Sequence, residues 1–264
     1  MRVLRAYPTL LRAYWARALE YRGQSIIWIL SSILPLIMMT VWLSIAGETG
    51  EIGSYDRVGF ISYYLAVTVM RRMVGVWIIW DLDRDIRQGL LSPQLLRPID
   101  PVHMHFSRIL ALRPLQFILV GPPVIIAALL FGAQYDLRPL TILFVLLAIF
   151  GAMCIEFFMQ MATGALAFWL TQAVAITEVW FYARALFSGW IIPIDLFPAP
   201  IANALQVLPF RYVLSFPIEI LLGRLTLAEI GFGFAVQYGW LLLIFLLYRL
   251  LWTRGLREYG AVGA

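Results

Sequence analysis

Long, continuously apolar stretches restrict the fold of this chain more than any other feature. A hydrocarbon core about 30 Å thick is crossed by roughly 20 helical residues. Four stretches reach that length: Ile26 to Ala46, Gly59 to Trp80, Ile109 to Gly132 and Gly231 to Trp252. The block from Leu140 to Ile192 is long enough for two crossings, with a break expected between Phe168 and Glu178. The sequence therefore predicts six membrane spans.

The composition agrees with a membrane protein and excludes an ordinary soluble domain. Hydrophobic residues make up 62% of the 264 residues and charged residues only 13%. The apolar runs do not alternate with polar residues, so they predict helices rather than strands of a barrel. No linker divides the chain, so we expect one all-α transmembrane domain over residues 1–264. Cys154 is the only cysteine, which excludes an intrachain disulfide and a cysteine metal site.

The arginines predict the orientation of the chain, because all 20 basic residues are arginine. Cytoplasmic loops of membrane proteins carry an excess of Lys and Arg. With six spans, twelve arginines share one side: Arg2, Arg5, Arg12, Arg17, Arg22, Arg84, Arg87, Arg97, Arg108, Arg249, Arg254 and Arg257. The opposite loops hold only Arg57, Arg138, Arg211 and Arg224. We therefore expect both termini in the cytoplasm.

Residues 1–24 are expected to form an interfacial helix rather than a cleaved signal. On a helix, one face collects Leu4, Tyr7, Leu11, Tyr14, Trp15 and Ala18, whereas the arginines lie elsewhere. Such a helix lies in the headgroup layer of the membrane lipid. A contact surface for a cytoplasmic partner is the second interpretation, and both remain open.

The chain lacks the motifs of several kinds of chemistry. It has no GxxxxGK[ST] phosphate loop, so an ATPase would have to be another chain. The only histidines, His103 and His105, fall in the predicted cytoplasmic loop and do not share a helix face. No metal site, catalytic site or nucleic-acid partner is expected, and the chain is not predicted to be an enzyme.

Residues 81–108 form the longest polar interruption between apolar segments. Within them, Ile86, Leu90, Leu91, Leu95 and Leu96 give an apolar stripe, and Gly89 and Pro93 permit a break between two short helices. A short cytoplasmic helix of this kind fits a groove in a partner.

Three groups of residues resemble the ABC-2 type transporter permeases. They are Arg87-Gln88-Gly89-Leu90-Leu91 with Leu95-Leu96-Arg97-Pro98-Ile99, then Phe168-Trp169-Leu170, then the stretch from Leu186-Phe187-Ser188-Gly189 through Leu208-Pro209-Phe210-Arg211 to Pro217. The resemblance is closest to small bacterial exporter permeases of the type V exporter kind, which pair with a sister permease and a separate ATPase.

The resemblance implies roles for two sets of residues. The element after the second span would be a coupling helix: Gly89, Leu90, Leu91, Leu95, Leu96, Arg97 and Pro98. Residues 193–228 would form outer re-entrant helices, with an outer gate at Gly189, Pro193, Pro198, Pro209, Phe210 and Pro217. ATP and Mg²⁺ would bind a partner ABC ATPase dimer, and the second permease would be identical or a sister chain.

The proline content of the outer region is consistent with that implication. Five prolines between Ile191 and Pro217 remove backbone donors from an apolar, aromatic sequence. Irregular backbone at membrane depth requires cover by protein or a wet cavity. An ordinary apolar loop resting on the bilayer is the alternative.

Charged residues inside the predicted spans form the last candidate set. Arg71 and Arg72 fall near the middle of the second span and Arg184 in the fifth, with Glu156 and Glu178 as the available acids. Each charge at the bilayer centre costs about 2.5–3.5 kcal/mol on insertion scales. They either pair at a helix or subunit interface or line the transport pathway. Arg113 is expected to extend to the cytoplasmic interface.

The sequence therefore predicts a permease subunit of an ATP-driven exporter in the bacterial plasma (inner) membrane. An amphipathic substrate such as a drug, lipid or glycolipid suits the apolar, aromatic composition of the chain. No motif in the sequence identifies which of these it is. The alternative is an ion-coupled secondary transporter that uses Glu156 or Glu178 as its proton site.

Overall fold

The structure is a computed structural model that describes residues 2–20, 33–47 and 51–260, and most of these residues are helical. Helix α1 covers Arg2–Glu20 within the expected interfacial segment 1–24, of which residues 1 and 21–24 lie outside the described part. Helix α2 covers Ile33–Ala46. It is the second half of the first predicted span, since residues 26–32 also lie outside the described part.

The second predicted span is broken. After a short antiparallel hairpin, β1 (Glu51–Ile52) and β2 (Tyr55–Asp56), helix α3 covers Arg57–Val74 and α4 covers Ile79–Arg87. The Asp56 carboxylate begins α3 by accepting from the backbone N–H of Gly59 at 2.7 Å. The continuous span predicted to reach Trp80 is therefore wrong in its last turns, because the helix ends at Val74.

The predicted coupling region, residues 81–108, includes most of α4, a short helix and the start of a long one. Helix α5 covers Ser92–Leu95, and the long helix α6 runs over Pro101–Phe131. The Asp100 carboxylate accepts from the N–H of Val102, and Pro101 occupies the first helical turn, so the helix begins here. His103 and His105 therefore lie on α6, and their assignment to a loop is wrong.

The second half of the chain has two long helices with short ones between them. Helix α7 covers Pro139–Ala165 and continues into a 3₁₀ turn, Leu166–Phe168, before α8, Ala173–Phe187. The break lies inside the predicted interval. A 3₁₀ turn, Ile194–Leu196, then precedes three short helices, α9 (Ala199–Leu205), α10 (Pro209–Val213) and α11 (Ser215–Leu221). Helix α12, Leu227–Glu258, begins at a capping box of Thr226 and Glu229.

Helix α7 is the centre of the packing. It contacts α3, α4, α8, α10, α11 and, along most of its length, α12. One buried cluster joins α7 to α3 and the short helices α10 and α11, and a second joins it to α4 and α12. The second cluster positions α4, and with it the polar region that follows.

Three helices in the described part of the chain are long and apolar enough to cross a membrane: Pro101–Phe131, Pro139–Phe168 and Leu227–Glu258. Helix α2 is apolar but shorter, α3 contains three arginines, and α8 has only 15 residues. The count of six spans therefore stays a prediction.

Segments that were predicted to lie on the same side of the membrane lie at the same end of the molecule. At the arginine-rich end, Tyr7 Oη lies 2.9 Å from His103 Nδ1, and Ser92 Oγ lies 3.2 Å from the hydroxyl of Tyr259. At the opposite end, the Asp136 N–H donates to the carbonyl of Leu221, and Arg224 donates to that of Ser54. The molecule thus has two chemically different ends. The location of the arginine-rich end in the cytoplasm is a prediction.

Candidate functional site

The predicted coupling residues form an exposed apolar ridge at the arginine-rich end. Leu90 is 43% exposed, Leu95 38% and Leu96 88%. We call Leu90, Leu95 and Leu96 the ridge. Arg97 and Pro98 follow it and are also exposed. Exposed large apolar side chains that lie close together in a segment are typical of a protein contact site.

Leu91 is placed differently from its neighbours. It is fully buried in the cluster beneath α4, together with Ile86 and Leu82. Its N–H donates to the carbonyl of Asp85 at 2.9 Å, which closes the turn between α4 and α5. Gly89 permits this turn because its φ of +73° lies in the left-handed region. Leu91 thus anchors the ridge instead of belonging to it.

Ion pairs and hydrogen bonds attach the ridge-bearing segment to three other parts of the chain. Arg108 on α6 pairs with Asp81 on α4 at 2.7 Å. Arg87 on α4 donates to the carbonyl of Leu170, in the turn between α7 and α8, and Ser92 contacts Tyr259 after α12. These attachments connect the ridge-bearing segment to α6, to the turn between α7 and α8, and to the residue after α12.

The Asp81 carboxyl has a pKa below its ordinary value. Partial burial raises this pKa, but the hydrogen bond and charge of Arg108, with the charge of Arg84, lower it by more. Asp81 therefore remains ionised, and its pair with Arg108 remains intact, as the pH falls to about 4, the ordinary pKa of an aspartate.

The break between α3 and α4 is stabilised by Gln160 on α7. Its side-chain oxygen accepts from the N–H of Ile78 at 2.9 Å, and its amide nitrogen donates to the carbonyl of Val76. Gln160 is fully buried, so both backbone groups are satisfied without water. Behind α4, Gly164 leaves room for Leu82, because a Cβ there would lie 2.5 Å from a Leu82 methyl carbon.

Glu156 and Arg184 form a buried ion pair between α7 and α8. Arg184 Nη1 lies 2.9 Å from Glu156 Oε2, and Trp180 Nε1 donates to Oε1 at 3.1 Å. The Glu156 side chain is fully buried. Both oxygens therefore have partners, as a buried carboxylate requires.

Arg71 and Arg72 lie in the last turn of α3 rather than in the middle of a span. Their positive charges are close to the carbonyl end of that helix, where cations are favoured. The Arg71 guanidinium lies 3.5 Å from the centroid of the Trp190 ring, which is a close cation–π contact.

Two further charged side chains differ in their surroundings. Arg113 on α6 donates to the carbonyls of Arg72 at 2.7 Å and Gly75 at 2.8 Å. The expectation that Arg113 extends to the interface is wrong, because its guanidinium satisfies the carbonyls freed by the helix break. Glu178 is exposed on α8, and no described residue pairs with it.

The predicted outer-gate residue Gly189 sits in a tight, hydrogen-bonded turn. The Tyr63 hydroxyl donates to the Gly189 carbonyl at 2.8 Å, and Ser215 Oγ donates to that of Ser188 at 2.9 Å. Gly189 has a φ of +88°, and a Cβ there would lie 2.0 Å from Ser215 Oγ. Tyr64 and Trp42 both donate to the carbonyl of Ile191. The segment before the short helices is therefore attached to α2, α3 and α11.

The prolines of the outer region stand at the starts of short elements. Pro193 and Pro198 precede the 3₁₀ turn and α9, Pro209 is the first residue of α10, and Pro217 lies in the first turn of α11. Their missing N–H groups leave no helical bond unmade at these positions. Phe210 packs against Trp180, with ring centroids 5.2 Å apart.

Three interacting groups were not predicted from the sequence. Gln160 is the first. Gln237 on α12 is the second: it donates to the carbonyls of Ala148 and Tyr212, both at 2.9 Å. The third is the buried pair of Arg211 and Glu219, for which the sequence indicated no partner. A polar residue within an apolar run was the only available signal, and it does not identify a partner.

No group of three or more His, Cys, Asp or Glu side chains that could hold a metal ion occurs among the described residues. The sites described above consist of contacts, ion pairs and a helix break.

The fold and the long apolar helices define a multi-pass membrane protein. A comparison with protein families finds that the model described as ABC-2 family transporter protein matches residues 26–263. The match covers nearly the whole chain, so the chain belongs to the ABC-2 family and is a permease-type membrane component of an ABC transporter. No curated protein matches it.

Proposed function

We propose that this chain is the transmembrane permease subunit of an ATP-driven exporter that moves an amphipathic substrate, such as a drug, lipid or glycolipid, out of the cytoplasm. ABC-2 permeases generally partner with ATPase subunits. The proposed location is the bacterial plasma (inner) membrane, with six spans and both termini cytoplasmic. The predicted single permease domain over residues 1–264 is part of this proposal.

The exposed ridge carries the proposal. Leu90, Leu95 and Leu96 project from a turn whose own anchor, Leu91, is fully buried. Burying apolar surface contributes about 25 cal/mol per Å². A complementary groove on an ATPase would supply that burial, with Arg97 and Pro98 at its rim.

The attachments of the ridge provide a route from ATP hydrolysis to the membrane. The partner ATPase dimer binds ATP and Mg²⁺, and its closure displaces the ridge as a rigid body. Because α4 is paired with α6 through Asp81 and Arg108 and follows directly on the break at residues 75–78, the displacement reaches that break, which Gln160 connects to α7. Rigid-body movement of α3 relative to α6 and α7 would then change the cavity between two permeases.

The second permease completes the pathway in this proposal. On α8, Val179 is 69% exposed and Tyr182 73% exposed, beside the exposed Glu178. A charged carboxylate next to apolar side chains is costly against lipid and is favoured by a protein interface. The second permease is the same chain or a sister chain. The outer gate would consist of Gly189, Pro193, Pro198, Pro209, Phe210 and Pro217.

Co-purification tests the proposed partnership. The tagged chain is purified from its native cell in mild detergent, and accompanying proteins are identified by mass spectrometry. We expect a P-loop ATPase with the wild type and its loss when Leu90 and Leu95 are both changed to Asp. A Thr253→Asp variant is the control, since Thr253 is exposed near the end of α12 and its hydroxyl donates to carbonyls of its own helix.

The two variants separate the possible results. Retention of the ATPase by Thr253→Asp with its loss from the ridge variant supports the coupling role. An ATPase that remains bound to the ridge variant contradicts it. A wild-type chain that purifies alone and drives transport from a proton gradient in the absence of ATP contradicts the proposed function as a whole.

A further inference from the structure

Three aromatic side chains lie together where the break between α3 and α4 meets α8. The rings of Trp77 and Trp80 are stacked with their centroids 5.3 Å apart, and the Phe181 ring on α8 lies 5.0 Å from that of Trp77. Trp77 is 44% exposed and Trp80 47%. We call Trp77, Trp80 and Phe181 the aromatic patch. Stacked rings that remain exposed offer a rigid apolar surface to a ligand.

Arg71, in the last turn of α3, carries a positive charge that no described acid neutralises. Its guanidinium group contacts the Trp190 ring at 3.5 Å. Glu156, the acid on α7, already binds Arg184 and Trp180 through its two oxygens. The group therefore carries one more positive charge than negative. An uncompensated charge in a membrane protein is costly, and a bound anion would lower that cost.

The guanidinium group of Arg71 is accessible to a ligand. The residue is partly exposed, and no described residue accepts a hydrogen bond from its guanidinium nitrogens. None of these nitrogens is among the atoms that are both buried and without a hydrogen-bond partner, in contrast to Nε of Arg113. They therefore retain exposed surface, and a ligand can accept hydrogen bonds from them.

Two connections place Arg71 beside the aromatic patch. Along the chain, the Arg71 carbonyl accepts from the N–H of Gly75 at 2.9 Å, at the start of the break that contains Trp77. Through space, the guanidinium carbon of Arg184 lies 5.4 Å from the centre of the Phe181 ring, and the charge of Arg184 acts on Arg71. The unneutralised charge and the exposed rings are therefore parts of one surface.

We propose that this surface binds an anionic amphiphile. Its negatively charged group accepts hydrogen bonds from the Arg71 guanidinium, and its apolar body lies on the rings of Trp77 and Trp80. A guanidinium group suits a carboxylate or phosphate, whereas it repels an organic cation. The inference rests on the proposed function, since such an amphiphile would be the substrate of the exporter, and it narrows the class of that substrate to anions.

Photolabelling of the full chain in phosphatidylcholine nanodiscs measures this binding. Three single-chain probes carry the same diazirine-bearing apolar chain and end in a carboxylate, an alcohol or an amine. Labelled peptides are identified by mass spectrometry. We expect the carboxylate probe to label the segments that contain Trp80 and Phe181 in a saturable manner, at a concentration about tenfold lower than the other two probes require.

Variants identify the contribution of each side chain. Arg71→Gln is expected to weaken carboxylate binding about tenfold, because a charge-assisted hydrogen bond is lost. Arg71→Lys keeps the charge and is expected to retain binding, and Arg254→Gln, at an exposed position on α12, is the control for net charge. Trp77→Leu with Trp80→Leu is expected to weaken binding of all three probes alike. The comparison of probes uses the wild-type chain, so it decides the proposal even where a variant fails to fold.

Competition distinguishes the source of the amphiphile. Displacement of the carboxylate probe by phosphatidylglycerol in the nanodisc assigns a membrane lipid, and persistence of the probe assigns a soluble amphiphile. Equal labelling by the three probes overturns the proposal and leaves only a lipid-facing aromatic surface. Carboxylate binding that is unchanged in Arg71→Gln overturns it too.

The failure of this inference is distinct from that of the proposed function. A wild-type chain that co-purifies with an ATPase but does not prefer the carboxylate probe overturns the anionic site and leaves the exporter assignment standing. A chain that prefers the carboxylate but transports from a proton gradient without ATP supports the site and contradicts the exporter assignment.

Discussion

Gln160 satisfies two backbone groups in the break between α3 and α4. Replacing it with Leu keeps the size of the side chain but leaves the Ile78 N–H and the Val76 carbonyl unpaired. An unsatisfied buried polar group costs about 1–3 kcal/mol. We expect Gln160→Leu to lower the midpoint of thermal unfolding in detergent, whereas Gln172→Leu, at an exposed position without such bonds, leaves it unchanged. Equal midpoints for the two variants would contradict this role.

The pair of Glu156 and Arg184 gives a second residue-scale prediction. Removing one partner of a buried ion pair costs about 3–5 kcal/mol, because the other charge is left without compensation. We expect Glu156→Gln and Arg184→Gln each to destabilise the chain, and the double variant to be more stable than the sum of the two implies. The measurement is a double-mutant cycle from thermal unfolding, with Glu51→Gln as the exposed control. Additive effects would show that the pair is not coupled.

At the scale of elements, the turn between α4 and α5 determines where the ridge points. Gly89 has a left-handed φ, and a residue with a Cβ is strained there by about 1 kcal/mol or more. We expect Gly89→Ala to redirect Leu90 and weaken ATPase co-purification while membrane insertion stays normal. Gly231→Ala on α12 is the control, because a Cβ there meets nothing within 4 Å. Full recovery of the ATPase with Gly89→Ala would show that the ridge tolerates reorientation.

The elements also show which parts of the fold are readable from sequence. Continuous apolar runs predicted the long helices α6, α7 and α12, and the polar residues Thr171 and Gln172 indicated the break before α8. The end of α3 at Val74 was not predicted, because residues 75–80 are apolar or glycine and the stabilising Gln160 is about 80 positions away. Likewise, the stripe at residues 86–96 predicted an apolar contact surface, but periodicity alone did not separate the buried Leu91 from the exposed Leu90.

At the scale of the whole molecule, charge asymmetry is the property that orients the chain. The arginine-rich segments come from three separate parts of the sequence, which meet at one end: α1, the stretch from Arg84 to Arg108, and the end of α12. The opposite end carries the hairpin at residues 51–56 and the short outer helices. A single orientation in the membrane therefore satisfies the positive-inside rule for all of these segments at once.

Cysteine accessibility in intact cells checks that orientation. The one native cysteine, Cys154, is buried, so the unmodified chain is the unlabelled control. Leu96 is 88% exposed at the arginine-rich end and Leu137 is 69% exposed at the other. With an impermeant maleimide, we expect Leu137→Cys to be labelled in intact cells and Leu96→Cys only after the membrane is opened. The reverse pattern would place the ridge outside the cell, where no ATP-driven partner could reach it, and would contradict both the orientation and the proposed coupling.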